Sequence, residues 1–132
     1  MTVVLDTNVL VSALVNPTGV PATVLGLLLN GKLTVCYDNR ILGEYREVLS
    51  TQKFHFKKSL ILQLLDYIRQ EGEFIAVEPL RTTSVSEDDR MFYEVAKTGK
   101  VAYLVTGNKK HFPNEDIVRT PKEFVDIYLS RE

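Results

Sequence analysis

Short apolar runs alternate along the chain with longer segments whose apolar residues recur every three to four positions. The short runs have the length and side chains of buried strands, and the longer segments have the spacing of amphipathic helices. This alternation is typical of an α/β fold, in which a parallel sheet is covered by helices on both faces. The pattern predicts strands at 3–5, 33–37, 73–77, 101–105 and 117–118, and helices at 9–14, 22–30, 39–50, 59–71, 87–98 and 121–129.

The first predicted strand ends abruptly at an acid. Residues 3–5 are a continuous apolar run, Asp6 follows at once, and Thr7 and Asn8 are good helix-capping residues. In a parallel α/β sheet, ligands bind at the carboxyl ends of the strands. Asp6 is therefore a candidate functional carboxylate. The alternative is that Asp6 only caps the helix that follows it.

Two further acids lie at the edge of an apolar helix face. At 100° per residue, Glu44 falls beside Ile41 and Val48, and Asp89 falls beside Ala96 at the rim of the buried stripe. Neither carboxylate is therefore aimed at bulk water. Both are candidates to join Asp6 if the fold brings them together.

Each of these acids also has an ordinary explanation. Glu44 can pair with Arg40 or Lys53 at the border of the core. Asp89 lies in the first turn of its helix, where a carboxylate interacts favourably with the helix dipole. Asp88 competes with Asp89 for the inward position, although the helical spacing favours Asp89.

A second set of polar residues follows the fourth predicted strand. Thr106 and Asn108 come directly after residues 101–105, so they should emerge at the same sheet edge as Asp6. The loop continues with lysines 109 and 110. These lysines are either phosphate contacts or an ordinary exposed pair.

A basic segment with two phenylalanines spans residues 52–58. Lys57 and Lys58 end it, so the segment either binds RNA through charge and ring stacking or anchors a connection to the core. His111 is predicted to be a surface or phosphate-contacting residue. A role as metal ligand is disfavoured because no second histidine stands at ligand spacing.

Composition and charge narrow the fold class more than the function. The chain has 132 residues, 45% apolar composition and a formal net charge of −1, which predicts one domain over residues 1–132 with a real core. The charge neither supports nor excludes RNA binding. The single cysteine, Cys36, lies in an apolar strand and is predicted to be a buried thiol. No apolar stretch approaches the roughly 20 residues of a membrane span, and the first residues lack a secretory pattern, so we expect a soluble, cytoplasmic protein.

The three candidate acids predict a site for a hard cation if they converge. Asp6, Glu44 and Asp89 would then repel one another severely unless a cation neutralised them. Carboxylates without a cysteine or histidine framework suit Mg²⁺ or Mn²⁺ and not structural zinc. Such ions activate water and neutralise charge in phosphodiester hydrolysis.

Four short motifs occur in a fixed order over most of the chain. The first two are VLDTNV at 4–9 and LGEY at 42–45, and the others are DDR at 88–90, ahead of an alanine at 96, and VTGNKKHF at 105–112. Together they resemble the PIN-domain ribonucleases, particularly the branch that forms the toxin component of toxin–antitoxin pairs.

The resemblance implies a three-layer α/β/α sandwich around a mainly parallel sheet of four to five strands. It implies that Asp6, Glu44 and Asp89 bind Mg²⁺ or Mn²⁺ and carry out endonucleolytic cleavage of RNA. It also implies a homodimer and a cognate antitoxin protein as a partner. In this interpretation the supporting residues are Thr7, Asn8, Asp88, Thr106 and Asn108, and the RNA contacts are Lys57, Lys58, Lys109 and Lys110.

The chain departs from the family pattern at one position. Many PIN domains have a fourth acid after this last strand, whereas this chain has Asn108, whose amide oxygen can hold a cation or a metal-bound water but adds no charge. One alternative is therefore a domain that binds RNA or a partner without cleaving. Another is a phosphatase with Asp6 as nucleophile, a class that usually has a second Asp where this chain has Asn8.

Overall fold

A computed structural model describes residues 1–78 and 85–131 as an α/β fold built on one five-stranded parallel sheet. The strands are β1 (Thr2–Leu5), β2 (Thr34–Tyr37), β3 (Glu73–Phe74), β4 (Tyr103–Val105) and β5 (Val118–Arg119). The helices are α1 (Thr7–Val15), α2 (Val20–Leu29), α3 (Asn39–Leu49), α4 (Lys58–Glu71), α5 (Glu87–Thr98) and α6 (Pro121–Ser130). The predicted fold class is confirmed.

The strand order creates a natural ligand site beside β1. The order is β3-β2-β1-β4-β5, and every pairing between neighbours is parallel. The chain therefore leaves β1 in one direction, towards β2 and β3, and returns to its other side at β4. Open α/β sheets bind ligands outside the carboxyl ends of the strands at such a reversal. Residues that follow β1 and β4 directly are placed at this point.

Helices cover both faces of the sheet. Helices α1 to α4 lie in the connections from β1 to β2 and from β2 to β3, which cross the sheet in the same direction. Helix α5 lies in the connection from β3 to β4, which crosses the sheet in the opposite direction. Right-handed crossovers place these two groups on opposite faces. Accordingly, α5 packs on β1, β2 and β4, while α6 packs on α2, β4 and β5. The core strands are buried by both layers, and Val3, Val4 and Leu5 of β1 have no exposed surface.

Two helix starts follow the predicted side-chain chemistry. The Asp38 carboxylate accepts a hydrogen bond from the Ile41 amide at 3.0 Å and caps α3. At α6 the Thr120 hydroxyl accepts from the Glu123 amide, and the Glu123 carboxylate accepts from the Thr120 amide. These two reciprocal bonds form a capping box.

The third strand is shorter than the apolar pattern predicts. We expected a strand over 73–77, but β3 contains only Glu73 and Phe74, and both side chains are exposed. Among the described residues, β3 lies at the sheet edge and pairs with one strand, β2, so few contacts extend it. One further bond, from the Ile75 amide to the Tyr37 carbonyl, continues the pairing. The predicted stop at Pro79 lies outside the described residues.

The lone cysteine is a buried core residue, as predicted. Cys36 has no exposed surface, and burial raises the pKa of its thiol to about 11. The nearby Glu73 carboxylate acts in the same direction. The thiol therefore stays protonated near neutral pH and supplies no nucleophile.

Within residues 1–78 and 85–131, no single helix combines the length and apolar composition needed to cross a membrane. Taken together, α1 and α2 meet both criteria, but the two helices are bent by 104° at their junction.

An ion pair between the half-exposed Arg40 and a buried glutamate joins α3 to α5. The side chain of Glu94 is 2% exposed, and its Oε1 lies 2.8 Å from Nη1 of Arg40. The same guanidinium contacts Asp38 at 2.8 Å. Arg40 therefore binds these two acids, and its predicted pairing with Glu44 is not observed.

Arg40→Ala is expected to lower the free energy of unfolding by about 2 kcal/mol, because a charge-assisted hydrogen bond to a buried carboxylate is lost. Urea denaturation measures the change. Arg46→Ala is the matched control, since Arg46 is exposed on the same helix and makes no ion pair within the described part of the chain. The control should shift stability by less than about 0.5 kcal/mol. Equal losses in the two variants would contradict the importance of this ion pair.

A hydrogen bond and an ion pair connect α5 to the segment that precedes β5. The Tyr93 hydroxyl donates to the Glu115 carboxylate, and Lys97 Nζ lies 2.8 Å from Glu115 Oε1. The bonds from Lys97 and Tyr93 hold the pKa of Glu115 below its ordinary value of 4.5. Glu115 therefore contributes stability above that value, and the contribution is lost as the pH falls through the folded-state pKa.

Glu115→Gln is expected to lower the melting temperature slightly at neutral pH. The free energy of unfolding should fall by less than about 1 kcal/mol, because the ion pair is partly exposed. The difference from the wild type should shrink as the pH falls below 4.5, where the wild-type carboxylate also becomes neutral. Thermal melts across this pH range measure it. Glu71→Gln, at an exposed position, is the control, and a difference that grows in acid would contradict the assignment.

Candidate active site

Asp6 lies at the reversal of strand order, between β1 and α1 and beside β4. Its side chain is buried, with 6% relative exposure. Asp6 Oδ2 accepts hydrogen bonds from the Thr106 hydroxyl at 2.8 Å and from Asn8 Nδ2 at 3.3 Å. The carboxylate makes no side-chain bond that caps α1. Asp6 does occupy the N-cap position of α1, and the Asn8 amide opposes the rise in the pKa of its carboxyl. Capping is not its only role, however, because the side chains of Thr106 and Asn8 also hold the carboxylate.

Glu44 is brought to the same place by α3. The Thr7 hydroxyl donates to Glu44 Oε2 at 2.5 Å, which connects the acid to the residue after Asp6. The next residue, Tyr45, is fully buried and donates its hydroxyl to the Leu5 carbonyl at 2.5 Å. These two bonds fix α3 against the end of β1. Glu44 therefore borders Asp6 without touching it.

Asp89 approaches from the other face of the sheet, in the first turn of α5. Its Oδ2 accepts a hydrogen bond from the Ser86 hydroxyl at 2.7 Å and lies 3.2 Å from His111 Nδ1. Ser86 occupies the capping position of α5, but its hydroxyl makes no bond to a helix amide. Asp88 is exposed, whereas the side chain of Asp89 is 17% exposed.

The loop after β4 links these parts. The Gly107 amide donates to Asn8 Oδ1 at 3.0 Å, and the Asn108 amide donates to the Thr106 hydroxyl at 3.0 Å. Asn108 Nδ2 lies 3.1 Å from His111 Nε2. Thr106, with no exposed surface, therefore accepts from the loop and donates to Asp6 at the same time.

The charges of Glu44 and Asp89 both act on the Asp6 carboxyl. Burial raises the pKa of the Asp6 carboxyl above its ordinary value. The negative charges of Asp89 and Glu44 raise it further, while the hydrogen bond from Thr106 opposes the rise. All three carboxylates therefore lie close enough to interact, although they are far apart in sequence.

The donor set fits a hard divalent cation that keeps part of its water. Within residues 1–78 and 85–131, no group of three or more Asp, Glu, His or Cys side chains is arranged to hold a metal ion directly. The Glu44 carboxylate accepts from the Thr7 hydroxyl and the Asp89 carboxylate from the Ser86 hydroxyl, so each already has a hydrogen-bond partner of its own. Mg²⁺ commonly binds through one or two carboxylates, several waters and substrate phosphates. Carboxylate, hydroxyl and amide oxygens are the ligand types it prefers.

The four candidate RNA-binding lysines lie outside this hydrogen-bond network. Lys109 forms an ion pair with Glu123 at 3.1 Å, and Lys110 is exposed beside it. Lys57 and Lys58 are exposed at the start of α4. Positive charges at a helix start oppose the helix dipole, so helix stability does not explain them.

The two phenylalanines of the basic segment 52–58 pack on each other, and one of them also packs on the core. Phe54 and Phe56 stack with their ring centroids 5.4 Å apart, and Phe56 packs against the core. Lys53 Nζ lies 5.1 Å from the centre of the Phe54 ring. The anchoring interpretation therefore applies to these rings, and base stacking on them stays a prediction.

Sequence reasoning missed the structural role of His111. The prediction that His111 lies at the surface is confirmed, since its side chain is 53% exposed, but its ring also contacts Asp89 and Asn108. The double role of Asn8, which contacts both Asp6 and Gly107, was also missed. The only available signal was that each polar residue follows a strand end closely, because these contacts join residues far apart in the chain.

Comparison with known proteins agrees with this geometry. The PIN domain family matches residues 2–110, a range that contains all three candidate acids and Asn108. The chain is also 32% identical over 141 aligned positions to the uncharacterized protein MJ1680 of Methanocaldococcus jannaschii. That alignment covers 96% of this chain and 90% of the relative. PIN domains are generally nucleases that use divalent metal ions. The chain belongs to the PIN domain family.

Proposed function

We propose that the protein is a metal-dependent endoribonuclease that hydrolyses RNA phosphodiester bonds at the carboxyl ends of β1 and β4. The observation that carries this proposal is the buried Asp6 carboxylate, which lies at the reversal of strand order and has its pKa raised by burial and, to a smaller extent, by the charges of Asp89 and Glu44. Such repulsion costs stability unless the site binds a cation. Membership of the PIN domain family supports the same chemistry.

In this function, Asp6, Glu44 and Asp89 hold Mg²⁺ or Mn²⁺ through their oxygens. When bound, the ion polarises the scissile phosphate and lowers the pKa of an attacking water. Thr7 and Thr106 orient two of the carboxylates through hydrogen bonds that already exist in the protein. These bonds fix the directions of the Glu44 and Asp6 carboxylates, and bound water would fill the remaining distance to the ion.

The neighbouring amides complete the arrangement. Asn8 orients the Asp6 carboxylate and holds the loop after β4 through Gly107. Asn108 presents an amide where many PIN domains have an acid, so it supplies an oxygen ligand without charge. We therefore propose that one cation suffices and that Mn²⁺ supports more activity than Mg²⁺. Asp88, exposed beside Asp89, has only an electrostatic supporting role.

Exposed lysines supply the affinity for the RNA backbone. Lys110 and Lys109 border a depression of about 230 Å³ that begins at the active-site loop. Lys57 and Lys58 combine their charge with the amino-terminal end of α4, which also attracts anions. Contacts to phosphate give affinity that falls with salt and carries little sequence preference.

We also propose that the protein is the toxin of a toxin–antitoxin pair, that it acts in the cytoplasm and that it forms a homodimer. An apolar groove of about 260 Å³ between α1, α2 and α4 supports a protein partner. Leu29 and Leu60 on its border are 48% and 44% exposed. Exposed apolar surface of this kind marks interaction sites. The antitoxin itself is proposed from the family resemblance.

Asn108 favours one second candidate function. Without the fourth charge, the domain would bind RNA or a protein partner but cleave too slowly for the activity to matter. In this case RNA binding survives chelation of the metal and no product forms. The lysines and the apolar groove would serve this function equally well.

The test is incubation of a mixed pool of structured and single-stranded RNA with Mn²⁺, with Mg²⁺ or with EDTA. We expect cleavage with Mn²⁺, slower cleavage with Mg²⁺ and none with EDTA. A chromogenic phosphomonoester in a parallel reaction should remain intact. Its hydrolysis would favour the phosphatase alternative, and intact RNA under both metals would favour the binding function.

A further inference from the structure

His111 has two polar contacts at the candidate active site, one on each ring nitrogen. Nδ1 lies 3.2 Å from Asp89 Oδ2, and Nε2 lies 3.1 Å from Asn108 Nδ2. The ring therefore bridges the start of α5 and the loop after β4. The neighbouring lysines at 109 and 110 have no contact of this kind with Asp89.

With the Asn108 amide oriented as in the structure, the two contacts favour one position for the proton of a neutral imidazole. A carboxylate oxygen only accepts hydrogen bonds, and an amide NH₂ only donates them. Nδ1 must therefore carry the hydrogen that is donated to Asp89, and Nε2 must be the acceptor for Asn108. One neutral tautomer satisfies both partners, whereas the opposite tautomer satisfies neither.

This arrangement leaves one oxygen of each partner available. Asp89 Oδ2 accepts from both Ser86 and His111. Within the described residues, neither Asp89 Oδ1 nor Asn108 Oδ1 accepts a hydrogen bond. His111 and Ser86 thus occupy one side of the carboxylate and leave the other for a cation or its water.

His111 is also a link in a continuous path from Asp89 to Asp6. The path runs from Asp89 through the ring of His111 to the side chain of Asn108. It continues from the Asn108 amide to the Thr106 hydroxyl, and from there to Asp6 Oδ2. In the part of the chain that the structure describes, Asp89 and Asp6 share no direct hydrogen bond. Their relative position therefore depends on this path and on helix packing.

We propose that His111 is a positioning residue, which orients the Asp89 carboxylate and the Asn108 amide towards a shared cation at the PIN active site. This role of His111 rests on the proposed function. It gives the loop after β4 a structural connection to α5 at the place where a fourth carboxylate is absent. Outer partners of this kind change metal affinity or activity by about 10- to 100-fold when they are removed.

The test uses two conservative variants that each keep half of the bridge. The amide nitrogen of His111→Asn can occupy the place of Nδ1 and still donate to Asp89. The longer side chain of His111→Gln reaches the place of Nε2 and keeps only the contact with Asn108. His111→Ala removes both contacts, and His55→Asn changes the other histidine of the chain, which is exposed.

Binding of Mn²⁺ without RNA is the first readout. We expect the dissociation constant to rise about 10-fold or more in His111→Gln and His111→Ala, and to stay within about threefold of the wild type in His111→Asn and His55→Asn. A merely structural role would instead make affinity follow the melting temperature. Equal affinity in the Asn and Gln variants, or no Mn²⁺ binding by the wild type, would overturn the proposal.

The second readout needs no metal and no activity. A long-range ¹H–¹⁵N spectrum of the metal-free protein, at a pH where free imidazole is neutral, should show His111 protonated at Nδ1. Asn108→Ala should weaken this preference while leaving His55 unchanged. Protonation of His111 at Nε2 would overturn the assigned bridge. Failure of RNA cleavage alone, with both readouts as expected, would count against the proposed nuclease function and not against this role of His111.

Discussion

Asp6→Asn is expected to abolish RNA cleavage and weaken Mn²⁺ binding while the protein remains folded. Removing a group that only supports a metal ligand already costs about 10- to 100-fold, so loss of a direct carboxylate ligand should lower cleavage at least about 100-fold. Thr106 can still donate to the amide oxygen that replaces the carboxylate. The fold therefore keeps this hydrogen bond.

The same substitution should not destabilise the metal-free protein at neutral pH. Because the pKa of Asp6 is raised in the folded state, ionisation of this carboxyl costs stability as the pH rises. A neutral asparagine avoids that cost, so Asp6→Asn should melt at the same temperature as the wild type or higher. This difference should vanish below the ordinary pKa of 3.8, where aspartate is neutral in both the folded and the unfolded state.

Asp66→Asn is the matched control for both measurements. Asp66 is exposed on α4, and within residues 1–78 and 85–131 its polar contacts are with Arg69 and Gln70 of the same helix. It should change neither cleavage nor Mn²⁺ binding. Full activity in Asp6→Asn, or a large loss of stability in EDTA, would contradict the role assigned to Asp6.

Thr106→Val is expected to lower cleavage about 10- to 100-fold and to reduce stability by about 2 kcal/mol. The fully buried hydroxyl donates to Asp6 at 2.8 Å and accepts from the Asn108 amide at 3.0 Å. Valine fills a similar volume but leaves both partners without this bond. Initial rates of RNA cleavage and urea denaturation measure the two effects.

Thr106→Ser separates the hydroxyl from the methyl group. Serine keeps both hydrogen bonds and loses only buried methyl contacts, so it should retain most activity. It should nevertheless lose about 1 kcal/mol of stability. If the serine and valine variants lose activity equally, the bridge between Asp6 and Asn108 does not matter for function.

The sequence predicted the layout of the fold because each element carries its own local pattern. The apolar run 3–5 stops at Asp6, and the acid does lie at the end of a buried central strand. The cap on α3 and the capping box of α6 depend on residues three positions apart. Local chemistry of this kind can be read without knowledge of the fold. The short length of β3 could not be predicted in this way, because it depends on the position of the strand at the edge of the sheet.

The candidate site was predictable only in part. Helical spacing placed Glu44 and Asp89 at the rim of the core, and burial together with the raised pKa of Asp6 agrees with their convergence. The bond that shows Asp6 to be more than a helix cap joins it to Thr106, 100 positions away. Periodicity carries no information on pairs of this kind. The bridge made by His111 was missed for the same reason.

The measurement that tests the nuclease function most directly is the identity of the ends that the protein leaves on RNA. Mass spectrometry of a single RNA oligonucleotide cut in Mn²⁺ should show one phosphate end and one hydroxyl end, because water attacks the phosphorus. The products should disappear in EDTA and with Asp6→Asn. Products that carry 2′,3′-cyclic phosphate, or cleavage that persists in EDTA, would contradict metal-dependent hydrolysis at Asp6.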